Sequence, residues 1–265
     1  MSGDRRAGKP AVSGARRAGT PAGSGARRSQ LAGPVELEAA LGRGEPVRLV
    51  LVATEPTDPH TAALAERAAA AGAAVRTASA ASLWRLGKTD PPSEILALVG
   101  ADPAATRETV LALDGAAWLL VGTAYPGNTG FAIRTAEVSG ADGIFVDNGF
   151  DHNGRREALR ASMRADRFMP VFWEPALPLL AEARTAGRRC IAVEDVGTAA
   201  PWQLDLGAPA LFVIGGERHG IPSEVLDACD ATLRIPMQGF IPSYNLQAAM
   251  AIVAGERLRQ LTQTP

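Results

Sequence analysis

Ala210-Leu-Phe-Val-Ile214-Gly215-Gly216-Glu217-Arg218-His219-Gly220 is an apolar run that ends abruptly in a glycine-rich turn. A short run of β-branched, aromatic and leucine side chains bounded by glycine reads as a buried strand. Glycines after it expose peptide N–H and C=O groups to whatever lies beyond the strand. That is the chemistry of a ligand-binding turn, although an ordinary tight turn has the same composition. The stretch lacks the Gly-Lys-Ser/Thr ending of a phosphate loop and the Gly-x-Gly-x-x-Gly dinucleotide fingerprint. A dehydrogenase-type nucleotide site is therefore disfavoured.

Two further stretches share this grammar. Upstream, strand Trp118–Gly122 runs into the turn cluster Tyr125-Pro-Gly-Asn128 and then a helix over Thr129–Ser139. Asn128 is placed to cap that helix, Gly130 permits close backbone approach, and Arg134 falls on its second turn. The arginine is either a solvated surface cation or a functional one. Downstream, strand Ala231–Ile235 leads through Pro236-Met237-Gln238-Gly239 to Ser243-Tyr244-Asn245 and a long helix over Ser243–Leu261. Leu246, Ala249, Met250 and Val253 recur there at helical spacing, and Ser243 is placed as its N-cap.

The intervening chain alternates in the same way. Strands are predicted at Gly143–Asp147 and Arg189–Glu194, and helices at Arg155–Arg164, Pro175–Ala186 and Pro222–Ala228. Apolar strands separated by helices indicate a mostly parallel sheet covered on both faces. Binding sites in such sheets lie outside the carboxyl ends of the strands. All three stretches begin at such ends, so they converge on one site.

The N-terminal half contains a smaller α/β pattern: strands at Val47–Ala53, Val75–Thr77 and Ile95–Val99 with an alanine-rich helix over Thr61–Ala74, stopped near Gly72. Asp102–Asp114 reads as a connector with a short helix. Three segments result: a disordered basic tail over 1–33, a small α/β domain with its connector over 34–115, and a larger α/β domain over 116–265. The tail is rich in Gly, Ala, Ser, Pro and Arg, with arginine pairs at 5–6, 16–17 and 27–28. Such a composition has nothing to bury. It is either a low-complexity extension or an arm that meets RNA through phosphate charge.

Charge and cysteine content narrow the class further. Residues 1–30 carry seven cations against Asp4 alone, a net +6, which leaves −7 on the remainder of a chain whose total is −1. Any nucleic-acid surface on the body is therefore a local patch. Cys190 and Cys229 have neither pairing nor metal spacing and read as buried, reduced thiols of a cytoplasmic protein. His60, His152 and His219 are too scattered for a metal site. No apolar run is long enough to span a bilayer, and no apolar segment follows the basic N-terminus as in a secretory signal.

Taken together and in this order, the three stretches resemble the motifs of the SpoU/TrmH family of SPOUT-class RNA 2′-O-ribose methyltransferases. The resemblance runs from Trp118 to the C-terminus and, more loosely, over Val47–Gly100, where relatives often carry a ribosomal-protein-like substrate-binding domain. It implies an α/β fold: a SPOUT methyltransferase domain with a deep trefoil knot, preceded by a small α/β RNA-binding domain. It implies S-adenosylmethionine as cofactor, no metal, no membrane, and a homodimer acting on RNA, ribosomal RNA in preference to transfer RNA. Arg134, in Asn-x-Gly-x-x-x-Arg, matches the catalytic arginine, with Asn128, Ser243 and Asn245 in the catalytic set. Gly215, Gly216, Glu217, Ile235, Met237 and Tyr244 match the cofactor set. Two departures stand out: Tyr244 replaces a leucine, and Arg164 stands where the family usually has glycine. They keep open a non-catalytic RNA-binding protein that retains the fold.

Overall fold

The structure is a computed structural model and describes residues 29–100, 102–241 and 243–263. The arginine pairs of the tail lie outside the described residues.

The smaller domain runs through β1 (Ser29–Ala32), α1 (Pro34–Gly42), β2 (Val47–Ala53), α2 (Pro59–Ala70), β3 (Ala74–Ala78), α3 (Ala80–Gly87) and β4 (Ile95–Val99). Its sheet has the order β1-β4-β2-β3. β4 is antiparallel to both neighbours, and β2 and β3 are parallel. Val50, Val52, Ile95 and Ala97 pack against Leu37 of α1 and Leu64 and Ala68 of α2. α2 begins where Asp58 accepts a hydrogen bond from the His60 N–H at 2.9 Å and Pro59 fills its first turn. Residues 29–33, assigned to the tail from sequence, belong instead to this domain, since β1 pairs with β4 along four residues. Ser-Gln-Leu-Ala offers one large apolar side chain and no readable alternation. Ladder hydrogen bonds to β4 make it a strand.

After the connector helix α4 (Arg107–Leu111) the larger domain follows: β5 (Ala116–Val121), α5 (Pro126–Val138), β6 (Gly143–Asp147), α6 (His152–Ala161), β7 (Val171–Trp173), α7 (Ala176–Thr185), β8 (Arg189–Val193), β9 (Ala210–Gly215), α8 (Ser223–Asp227), β10 (Ala231–Leu233) and α9 (Leu246–Gln263). Its six strands are ordered β10-β8-β9-β5-β6-β7, and every pair is parallel. All six residues of β5 are buried. Trp118 and Leu120 face one layer, with Ile133 of α5 and Met250 and Val253 of α9. Leu119 and Val121 face the other, with Leu179 and Leu180 of α7 and Val225 of α8. Burial on both faces explains why these strands read as continuous apolar runs. β7 escaped the sequence reading because it has three residues, too few for any period.

Two contacts set the layers. A Cβ on Gly130 would collide with the Ala158 carbonyl and the Ala161 methyl, so glycine lets α5 lie directly on α6. At the amino edge of the sheet Arg188 is buried, with no part of its side chain exposed. Its guanidinium donates to the carbonyls of Val110, Leu111, Leu113, Gly115 and Ala210, and to the Asp142 carboxylate, at 2.6–3.1 Å. One side chain thus ties the connector to three strand ends. The cysteines are structural: Cys190 is buried and Cys229 half-buried. Desolvation, with Asp230 nearby, pushes their thiols up to about 12 and about 11, far from a reactive thiolate.

Removing the guanidinium leaves Asp142 and five carbonyls without it in a dry interior. Arg188→Ala is expected to lower unfolding free energy by about 3–5 kcal/mol, read as the shift in a urea midpoint. A shift within error would show that the hub carries no stability.

Candidate active site

The carboxyl ends of β5, β6, β8, β9 and β10 lie along one edge. At the end of β9 the chain turns so tightly that a Cβ on Gly215 would meet the backbone of Gly220 and Ile221. One on Gly216 would meet the carbonyl of Gly122, beyond β5. The Gly216 N–H donates to Val121 O at 2.7 Å, and Gly220 closes the turn at φ +64°, its N–H on Gly216 O at 3.1 Å. The loops after two adjacent strands are thus pressed together, backbone on backbone.

Glu217 uses that proximity. One carboxylate oxygen accepts from Asn128 Nδ2 at 2.7 Å and the other from the Ala124 N–H at 3.1 Å. Asn128 is therefore not the cap of α5. The helix starts two residues earlier, with Pro126 in its first turn and Tyr125 at the cap position. Asn128 faces across to the second loop because Glu217 offers it a charged acceptor. Arg218 lies over the Tyr125 ring, 5.4 Å from its centroid, and reaches its hydroxyl at 3.4 Å. That hydrogen bond holds the guanidinium above its usual range. Deeper in, the buried Thr123 hydroxyl accepts from Thr129 at 2.9 Å and Asn148 at 2.8 Å, which locks the ends of β5 and β6 to α5.

The third stretch is irregular from Ser243 to Asn245, and α9 begins at Leu246. The N-cap is Asn245, not Ser243: its Oδ1 accepts from the Gln247 N–H at 3.1 Å and its carbonyl from Ala248 and Ala249. Either residue type caps a helix, and the backbone path past Gly239 decides which one is in place.

These pieces enclose a cavity of about 430 Å³. Gly215, Gly216, Glu217, Ile235, Met237 and Tyr244 all line it, as do Ser243 and Asn245. Asn128 stands behind it, held by Glu217. Arg134 does not line it. That side chain lies on the exposed face of α5, over a separate hollow of about 450 Å³ between α5 and the sheet of the smaller domain. The sequence reading missed Glu194, Asp195 and Arg218 among the lining residues. The available signal for the first two was their position, at the carboxyl end of a strand beside β9. Glu194 also braces the glycine turn, accepting from the Ile221 N–H at 3.0 Å.

Arg164 has a local explanation. It adopts φ +63°, directly after Met163 at φ +57°. Glycine fits such a left-handed position without strain, whereas here an arginine occupies it, paired with Asp166 at 3.3 Å.

The cavity wall carries Glu194, Asp195 and Glu217 against Arg218, an acidic balance that suits a cationic ligand and not a phosphate-rich one. Among the described residues, the peptide N–H groups of Ile235, Met237 and Tyr244 meet no protein acceptor, so the wall offers donors to a ligand. Its volume is that of a site for a nucleoside-sized molecule. Fold and cavity together define an α/β protein with an acidic, nucleoside-sized cavity at the carboxyl edge of an open parallel sheet.

The pattern of the SpoU rRNA methylase family matches residues 115–255, just over half of the chain, and the chain belongs to that family. The family's RNA 2′-O-methyltransferases use S-adenosylmethionine, a sulfonium cation, as cofactor, in keeping with the acidic wall. The chain is 28% identical over 196 residues to a 23S rRNA (adenosine(1067)-2′-O)-methyltransferase of Streptomyces laurentii, a match covering 73% of each. An uncharacterized tRNA/rRNA methyltransferase of Synechocystis sp. is 29% identical over 136 residues, 51% of this chain and 50% of the relative. The chain thus spans half to three quarters of the length of these curated relatives. An AdoMet-bound rRNA methyltransferase from Sinorhizobium meliloti shares the fold over 89% of this chain and 88% of its own, with a TM-score of 0.55 at 23% identity.

Gly216→Ala forces apart the loops after β5 and β9. Its affinity for S-adenosylhomocysteine, by calorimetry, is expected to fall at least about tenfold, or ~1.4 kcal/mol. Unchanged affinity would mean that this contact does not shape the cavity.

Proposed function

We propose that this chain methylates a ribose 2′-hydroxyl in structured RNA, ribosomal RNA in preference to transfer RNA, as a cytoplasmic homodimer. The observation that carries the reading is the convergence of Gly215, Glu217, Ile235, Tyr244 and Asn245 on one acidic cavity. The preference for ribosomal RNA rests on the small N-terminal α/β domain, read as the RNA-binding module, and on the likeness to the 23S rRNA enzyme. A deep trefoil knot is part of the proposal. The stretch after β8 supports it, because Gly197 is pressed against Leu233 and Arg234 and Ala199 bridges to Leu233.

The bound cofactor supplies an activated methyl group, which leaves positioning and proton removal to the protein. Gly215, Ile235, Met237 and Tyr244 would hold the cofactor through their backbone, and Glu217 fixes the loop that begins α5. Asn245 and Ser243, at the mouth of α9, stand beside the space for the ribose. Arginine is a weak base, its pKa above 12, so the task that suits Arg134 is to hold the target phosphate and hydroxyl.

Because Arg134 lies outside its own chain's cavity, the reading assigns it to the cavity of the second protomer. Phe131 and Val138 flank it on α5, 43% and 74% exposed, and Leu258 of the adjoining α9 is 43% exposed. This apolar surface is the proposed dimer face. The alternative, a non-catalytic RNA-binding protein, rests on Tyr244, which puts a half-exposed aromatic ring at the cavity in place of the family's leucine.

Arg134→Ala and Asn245→Ala are each expected to reduce methyl transfer to total RNA at least about a hundredfold. Arg134→Ala should keep its affinity for S-adenosylhomocysteine. Mixed and reassociated, the two inactive variants should recover roughly a quarter of wild-type activity, because half of the randomly paired dimers contain one intact composite site. No recovery would place Arg134 in its own chain's site. No transfer by the wild type to any RNA, with cofactor bound, would favour the non-catalytic reading.

A further inference from the structure

α6 and the turn that follows it are unlike the rest of the folded chain. Beyond residue 30 the protein has 20 cations against 27 acidic groups, yet residues 152–167 carry five arginines against Glu157 and Asp166. All five arginines are exposed. Arg156 and Arg160, one helical turn apart, project from the side of α6 opposite Ala158, which is buried toward α5. Like charges at this spacing repel one another and destabilise the helix. Among the described residues neither has an ion-pair partner, nor does Arg167.

Two details show that the cations are arranged and not merely solvated. Arg155 is held over the Trp173 ring, 5.1 Å from its centroid, with Phe150 tilted against the same indole. Arg164 occupies a left-handed backbone position that glycine would take without strain. The patch begins at the correct edge: Arg155 and Arg156 stand in the first turns of α6, and the helix then runs back toward the start of β7, carrying Arg160, Arg164 and Arg167 toward the amino edge. α6 follows the carboxyl end of β6, which stands two strands from β9 and its glycine turn. At a strand spacing of about 4.8 Å, that separation is about 10 Å, within reach of nucleotides flanking one held in the cavity.

We propose that Arg155, Arg156, Arg160, Arg164 and Arg167 form a phosphate-binding rail for the RNA that flanks the methylated nucleotide. This rests on the methyltransferase reading for the identity of the RNA, while the surface itself is defined by charge and geometry. The rail contacts phosphates, so it contributes affinity and register and leaves base selection to other surfaces.

The test is the double variant Arg156→Glu/Arg160→Glu in the full chain, with Arg189→Glu, at the start of β8 and four strands from β7, as the control. Methyl transfer to total ribosomal RNA is expected to show KM raised about tenfold or more at low salt. The turnover at saturating RNA and the affinity for S-adenosylhomocysteine should be unchanged. Binding of a short fluorescein-labelled RNA hairpin should weaken, with a salt slope shallower by about 1–2. Arg189→Glu should alter neither. Unchanged KM and salt slope in the double variant would overturn the rail, as would an equal loss in Arg189→Glu, which would reflect net charge alone. If the wild type transfers no methyl group, the enzymatic reading fails by itself. The hairpin measurement then decides the rail: weaker binding by the double variant supports it, and equal binding overturns it.

Discussion

The site depends on the contact of Gly216 with Gly122. β5 and β9 are adjacent and parallel, and Val121 is paired with Gly215 at their carboxyl ends. The next residue of each strand enters a loop, and the two loops touch without room for a side chain. That closeness lets a carboxylate on one loop, Glu217, hold both an amide and a side chain of the other. The start of α5, the wall of the cavity and the setting of Asn128 all follow from it. A larger side chain at 216 would separate three elements at once.

The two edges of the large sheet have opposite economies. At the amino edge a buried cation, Arg188, has every direction filled by carbonyls and the Asp142 carboxylate. Nothing is left there for a ligand. At the carboxyl edge, Glu194, Glu217 and Asn245 are each used in part, bracing turns and capping α9, while among the described residues the peptide N–H groups at Ile235, Met237 and Tyr244 meet no protein acceptor. Stability is concentrated where the connector enters and unsatisfied polarity where a ligand is to bind. This division is general to open parallel sheets, whose loops at the carboxyl ends are free to vary.

The arginines divide by the same logic. Arg188 is enclosed and structural, and Arg218 is set by Tyr125 at the rim of the cavity. Arg134 stands on a bare helix face away from it. The cluster on α6 begins at the carboxyl edge and runs back along the helix, on a body that is otherwise acidic. A net charge of −1 conceals this pattern, because charge acts through local placement over distances comparable to the screening length of about 8–10 Å.

The sequence alone determined the alternation of strands and helices, the parallel sheet and the convergence of three loops. Burial on both faces writes each strand as an unbroken apolar run, and glycine marks the turns that end them. β6 and the central strands β2 and β4 were legible to the residue for that reason, whereas β1 and β7 carried too little pattern. The sequence likewise singled out Gly215, Gly216 and Ser243 of the cavity lining, since close backbone approach requires glycine and a helix start requires a capping side chain, while Glu217, Ile235, Met237, Tyr244 and Asn245 were marked by the family resemblance. Only the tertiary structure decided how those residues are used. It moved the cap of α9 from Ser243 to Asn245, gave Asn128 to Glu217, brought Glu194 and Asp195 to the wall, and put Arg134 on a face remote from it. Each of these depends on which loops meet in space, and residues 89 or 93 positions apart in the chain carry no local signal of their meeting.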